Sequence, residues 1–251
     1  MNDIIVIKRF KSEELVRLLV NTVRESIEDH TNLALGPDLS KLHNYITPRD
    51  INQVRLKSFS DLNRLDLDNM LKDELFEPLC SLLGPDILIQ TKMNISIQMP
   101  DDTTSLLRAH SDCNSGDSPF QLNLWIPLTK AYESNSMFIY NEESSERYYN
   151  NLVRNKFDVD YDDPETIQRY GKFMSMEVGE YLIFPPSLIH GNTINHTEAT
   201  RISVNIRFKS IFSPDSPHST EDRKNGVYYR GWTKSPQFRW ASVIHRVLKN
   251  G

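Results

Sequence analysis

The chain of 251 residues has only two cysteines, Cys80 and Cys113. Two thiols cannot make the multi-bridge framework of a small secreted fold, and their scarcity points to a reducing compartment. There is no apolar run near the ~18 residues that a membrane span needs. Positive charge is not in excess: Lys plus Arg number 29 against 34 Asp plus Glu, for a net charge of −5. A pI near 5.8 argues against a nucleic-acid-binding surface. Internal repeats and low-complexity tracts are also missing. Met1-Asn2-Asp3 is acidic and leads straight into a strand-like run, so the expectation is no signal peptide and a cytoplasmic protein. What is present fits a soluble globular protein: 38% hydrophobic and 25% charged residues.

The first third reads as helical. Ile4 to Ile7 is a short edge strand. Ser12 caps a helix that carries Glu13 and Glu14 in its first turn, with Leu15, Leu19, Val23 and Ile27 on one stripe. Residues 50–59 and 66–83 are two further helices, the second stopped by Gly84-Pro85. From Ile87 the period changes to two. Ile87, Ile89, Met93, Ile95, Ile97 and Met99 alternate with Gln90, Asn94, Ser96 and Gln98, which predicts one long strand. Its amide- and hydroxyl-rich face is either an exposed sheet surface or a polar lining near a ligand. Further strands are predicted at 105–110, 120–128, 137–140, 173–178, 181–184 and 201–208. Residues 141–168 read as a surface excursion or lid, helical around 145–156. A last amphipathic stretch carries Trp240, Val243, Ile244, Val247 and Leu248. Helices followed by many short strands predict a mainly β fold with N-terminal helices, a double-stranded β-helix (jelly roll) at its core. The division is a helical buttress over 1–86, a jelly roll over 87–210 and an extension over 211–251, all one domain.

The chemistry concentrates at His110-Ser111-Asp112 and at His190. Residues i and i+2 of an extended segment point to one face, so His110 and Asp112 can chelate one ion. Two imidazoles and one carboxylate form the ligand set that holds Fe(II) with open positions for O₂. The His-x-acid pair alone is weak evidence, because His196-Thr197-Glu198 also fits it, in a turn that reads as a solvated loop.

Context strengthens the pair. The stretch from Glu177-Val178-Gly179-Glu180 through Pro185-Pro186 to His190-Gly191-Asn192 precedes Arg201, which lies eleven residues after His190. It resembles the second half of the Fe(II)/2-oxoglutarate dioxygenase core, most of all in the phytanoyl-CoA-hydroxylase-like branch. Leu124-Trp125-Ile126-Pro127-Leu128 is similar to the strand which that branch places after its His-x-Asp. The resemblance covers roughly residues 90 to 210. It implies iron bound by His110, Asp112 and His190, and 2-oxoglutarate held at its distal carboxylate by Arg201, with Arg207 as the rival. Arg suits that role because its planar fork matches a carboxylate. Ser203 lies on the same strand face and adds a hydroxyl donor. Asn123, and after it Asn94 or Gln98, either bond the oxoacid or substrate or are ordinary sheet polarity. An intact Asp112 implies hydroxylation rather than halogenation; desaturation, epimerisation and ring closure stay open.

For substrate contacts the candidates are Arg108, which shares the face of His110, together with Arg230 and Trp232, which with Tyr228 and Tyr229 are suited to clamping a sugar. The bland readings are a surface salt bridge and a surface loop. The overall look of the chain, including Trp125 to Lys130, is similar to oxygenases of carbohydrate or aminoglycoside assembly. The partners implied are a small polar substrate and O₂, with neither nucleic acid nor membrane. Two rivals stand: a cupin-like metalloenzyme with no need for Arg201, and a non-catalytic jelly-roll binding module with structural histidines.

Overall fold

The structure, a computed structural model, describes residues 4–216, 219, 220, 223 and 225–250. Met1-Asn2-Asp3, on which the expectation of no signal peptide rests, lies outside the described residues. No helix among the described residues is long and apolar enough to cross a membrane.

Strand β1 (Val6–Arg9) is an edge strand, starting two residues later than the apolar run predicts. Helix α1 (Glu13–Thr31) follows, capped by Ser12, whose Oγ accepts from the Glu14 amide at 3.1 Å. The predicted stripe of Leu15, Leu19, Val23 and Ile27 is buried. With α2 (Ile51–Leu62) and α3 (Asp68–Leu83), which ends at Gly84 in the left-handed region (φ 78°), it forms a helical layer. This layer covers one face of a seven-stranded sheet.

The sheet runs β1, β7 (Glu180–Phe184), β4 (Gln121–Pro127), β9 (Arg201–Ser210), β2 (Ile87–Gln90), β10 (Tyr229–Thr233), with β3 (Asn94–Gln98) also on β9. Its pairings are antiparallel. Strand β9 is the long central member and shows why alternation matters. Ile202, Val204, Ile206 and Phe208 join the core shared with the helices, packing with Val54, Leu75 and Leu79. Arg201, Ser203, Asn205 and Arg207 therefore point the other way. On that side lies a three-stranded antiparallel sheet of β6 (Gly171–Phe173), β5 (Met137–Tyr140) and β8 (His190–Asn192). The two sheets form the double-stranded β-helix, with a second apolar cluster between them that includes Trp125, Met137, Leu182 and Phe184.

Several elements differ from the sequence reading. The single strand expected over 87–99 is two, β2 and β3, both on β9. Ile89 opposes Phe208 and Asn94 opposes Asn205, so two extra residues bulge out between them. Asn63 braces the bulge by bonding both the amide and the carbonyl of Met93, at 2.8 and 2.9 Å. An even insertion preserves the alternation, which is why the sequence looks continuous. Residues 105–110 do not form a strand; only His110 makes a bridge, to His190. Of the strand expected at 173–178, Phe173 ends β6 and Met176 makes one bridge, to Ala131.

Residues 141–168 contain α4 (Glu142–Val153) and the start of α5 (Pro164–Tyr170). This segment is no detached excursion. Ser145 Oγ accepts from the Ile189 amide at 3.0 Å, and the Tyr149 hydroxyl reaches Ser111 Oγ at 2.5 Å, so α4 packs behind the site. The C-terminal helix α6 (Pro236–Asn250) carries the predicted stripe, but Trp240, Val247 and Leu248 are exposed.

Gly191, beside His190, is a close-approach position. A Cβ there would lie 2.7 Å from Leu107 O and 2.8 Å from Phe138 Cζ. Gly191→Ala is expected to destabilise the fold by about 1–3 kcal/mol, the usual cost of overpacking. A thermal melt of the two proteins checks this; an unchanged melting temperature would contradict the close approach.

Candidate metal centre and anion pocket

His110 and His190 face each other across the β-bridge, each amide donating to the other's carbonyl at 2.9 Å. Their ring centroids lie 4.5 Å apart. Each Nδ1 lies beside a backbone carbonyl, His110 by Arg108 O at 2.7 Å and His190 by Leu188 O at 2.8 Å. A carbonyl only accepts, so each Nδ1 carries the proton and donates it. Each Nε2 is thereby left with its lone pair free, as in metal-binding histidines. Asp112 opens a short 3₁₀ turn, and its amide donates to Pro186 O at 3.2 Å. Ser111 Oγ also donates to Pro186 O, at 2.8 Å, so the Pro185-Pro186 loop holds the segment that carries His110 and Asp112.

Asp112 Oδ1 lies 3.6 Å from His110 Nε2 and 3.9 Å from His190 Nε2. The three candidate ligand atoms all fall within 4.8 Å of one another. The other oxygen, Oδ2, accepts from Asn123 Nδ2 at 2.7 Å and from Arg207 Nη2 at 3.0 Å. The register Asn123↔Arg207 between β4 and β9 places these two donors side by side. Burial by itself would raise the Asp112 pKa. The neighbouring His110, the Arg207 charge and the Asn123 hydrogen bond overrule it and hold the carboxyl well below the usual range. Burial pushes His190 down, toward the neutral imidazole that a metal requires.

A cavity of about 130 Å³ runs from this cluster to Arg201. Trp125, Met137 and Phe184 line it between the two ends. Arg201 is 3% exposed. Its guanidinium donates to Asn135 O (3.1 Å), Ser96 Oγ (2.9 Å), Ser203 Oγ (2.8 Å) and Gln98 Oε1 (2.9 Å), all neutral acceptors. Among the described residues no carboxylate pairs with it. Burial lowers its pKa to about 10, which still leaves it cationic at neutral pH. A buried cation without an anion costs several kcal/mol, so the position calls for an anionic ligand. Arg207 differs: it already meets two carboxylates, Asp112 and Asp117. Of the two arginines, Arg201 is the one with charge to spare.

The donor set thus fits a divalent ion at one end of the cavity and a carboxylate at the other. Ser203 Oγ accepts from both Arg201 and Trp125 Nε1 (3.0 Å), which leaves its own hydroxyl hydrogen to give. Ser96 and Gln98, on the polar face of β3, wall Arg201 in; the lining reading of that face fits the structure. Asn123 lines the cavity, yet its amide is bound to Asp112.

The candidate substrate residues are elsewhere. The Arg108 side chain is exposed and does not line the cavity. Arg230 pairs with Asp68 (Nη1 to Oδ2, 2.7 Å) beside α3 and lines a different cavity. Trp232 is buried in the helix-facing core, its ring 5.0 Å from that of Phe208. The clamp expected of Arg230 and Trp232 is therefore corrected: pairing of β10 with β2 turns them onto the helical layer. Tyr229 is buried, its hydroxyl on Gln121 Oε1. His196 is exposed and pairs with Asp101 at 3.2 Å, as a solvated turn should. Burial pushes the Cys113 thiol pKa up, which disfavours its thiolate. Asp117 and Arg223 join the site without a signal in the sequence; they sit in a polar loop and beyond the jelly roll, where no periodicity points to them.

No protein-family model matches the chain. Among solved structures, EctD from S. alaskensis, described with 2-oxoglutarate and 5-hydroxyectoine, superposes with a TM-score of 0.56. The identity is 15%, over 93% of this chain and 82% of that one. The nickel complex of the non-heme monooxygenase ThoJ gives 0.54 at 13% identity, over 94% and 82%. The chain has the fold of the non-heme, 2-oxoglutarate-dependent oxygenases, without singling out the phytanoyl-CoA-hydroxylase-like branch. In sequence it is 28% identical over 120 residues to the streptomycin biosynthesis protein StrG of Streptomyces griseus. That match spans 47% of this chain and less than half, 43%, of StrG.

Proposed function

We propose that the protein is an Fe(II)- and 2-oxoglutarate-dependent oxygenase, acting as one domain in the cytoplasm. It hydroxylates a small polar substrate, a sugar or sugar-derived metabolite, and releases succinate and CO₂. The observation that carries this reading is the pairing, in one cavity, of three ion-ready ligands with a buried arginine that lacks a counter-anion. His110 Nε2, Asp112 Oδ1 and His190 Nε2 hold the ion. Arg201, aided by Ser203, holds the distal carboxylate of the oxoacid. Bound Fe(II) with 2-oxoglutarate supplies the oxidising power that turns a C–H bond into C–OH at the expense of O₂. The chain's part is to orient and to exclude: Trp125, Met137 and Phe184 keep the cavity wall apolar, so that the reacting groups meet away from bulk water.

The sugar reading is supported by the likeness to a protein named for streptomycin biosynthesis. Protein reconstituted with Fe(II) under argon, then given O₂, 2-oxoglutarate and pools of amino sugars, cyclitols and nucleotide sugars, tests it. Succinate formed in step with a product about 16 mass units heavier is expected from at least one pool. Turnover that proceeds without 2-oxoglutarate would replace this reading with the cupin-like one.

A further inference from the structure

We propose that Arg207 is the positioning residue for Asp112, and that the segment after β9 exists in part to hold Arg207 in place. A free carboxylate can rotate, chelate with both oxygens or turn away. Asp112 has no such freedom. Its Oδ2 is committed to Asn123 and Arg207, and only Oδ1 faces the two imidazoles.

Arg207 is itself fixed on every side. Its side chain is 11% exposed. Nη1 donates to the Tyr228 hydroxyl at 3.2 Å and to Gln90 Oε1 at 3.4 Å. Nε lies 3.0 Å from Asp117 Oδ2, a charge contact rather than an aligned hydrogen bond. Asp117, 2% exposed, pairs in turn with Arg223 Nη1 at 2.8 Å, and Arg223 Nη1 lies 2.9 Å from the Tyr228 hydroxyl. The order Asp112, Arg207, Asp117, Arg223 alternates in sign from the ligand outward. Two of its supports, Arg223 and Tyr228, come from the C-terminal extension. In this way the extension closes the outer shell of the ligand carboxylate.

This inference rests on the metal-centre reading, and the test separates the two. The full chain would be titrated with Co(II) alone, followed by calorimetry and by the visible Co(II) bands. Wild type is expected to bind one equivalent. Arg207→Gln should bind Co(II) about 10- to 100-fold more weakly, the usual cost of losing an outer-shell partner. Its bands should also change, because Oδ2 is freed. Arg207→Lys should recover part of the affinity, returning the charge without the planar fork. If Arg207→Gln alone misfolds by leaving Asp112 and Asp117 unbalanced, the charge-balanced Arg207→Gln/Asp117→Asn double variant should show the same loss and the same altered bands. Tyr228→Phe, a milder change, should weaken binding a few-fold. Wild-type affinity and unchanged bands in folded variants would overturn the proposal. Failure of the wild type itself to bind Co(II) would refute the metal centre and the proposal with it.

Discussion

Replacement of Arg201 by glutamine is expected to weaken 2-oxoglutarate binding roughly 30- to 4,000-fold. The affinity for the metal ion alone should stay within about threefold of wild type. The size follows from truncating one partner of a buried, hydrogen-bonded charge pair, which costs about 2–5 kcal/mol at 1.4 kcal/mol per tenfold. The selectivity follows from position. Arg201 contacts Ser96, Gln98, Ser203 and Asn135, and none of the three candidate ligands. Because its hydrogen-bond partners are all neutral, the guanidinium has no counter-anion to give up before the oxoacid arrives. Equilibrium titration with each ligand separately checks both halves. A 2-oxoglutarate affinity unchanged by the substitution would mean that the anion is held elsewhere, and the pocket's cation would then lack an explanation.

His190→Ala should have a larger and different effect. Metal binding should fall by more than the roughly 10- to 100-fold that outer-shell changes produce. Oxoacid binding should become undetectable with it, since the chelating end then has no ion. The backbone exchange between His110 and His190 does not depend on the imidazole, so the bridge that shapes the site should persist. Circular dichroism should accordingly match wild type while the Co(II) titration shows no saturable binding. Saturation at one equivalent with wild-type affinity would remove His190 from the ligand set.

The sequence disclosed those parts of the site that obey a local period. His110 and Asp112 are two residues apart, and β9 alternates strictly, so the pattern alone puts Arg201, Ser203 and Arg207 on one face. Helix α1 was equally legible, because one stripe alone is apolar. The preference for Arg201 over Arg207 came from the family resemblance and not from the alternation, which puts both on one face. Its physical ground is which acids come near: Asp112 and Asp117, from the turn and loop before β4, both reach Arg207 in the folded chain. Nor could the fate of Arg230 and Trp232 be read. Strand β10 has a register shift between Gly231 and Thr233, which breaks the period of two and disguises the strand as a loop. An aromatic, arginine-containing loop suggests a ligand clamp; the same residues on a strand paired with β2 serve the core and an ion pair with Asp68.

The proposed function requires one cavity to join an iron site to an oxoacid site. An anaerobic titration of the apoprotein with Fe(II) and 2-oxoglutarate, followed through the visible charge-transfer band of the chelated oxoacid, tests it most directly. A band that saturates at one equivalent, disappears in His190→Ala and needs far more oxoacid in Arg201→Gln is the expected result. A folded wild type that binds iron and develops no band with 2-oxoglutarate would contradict it.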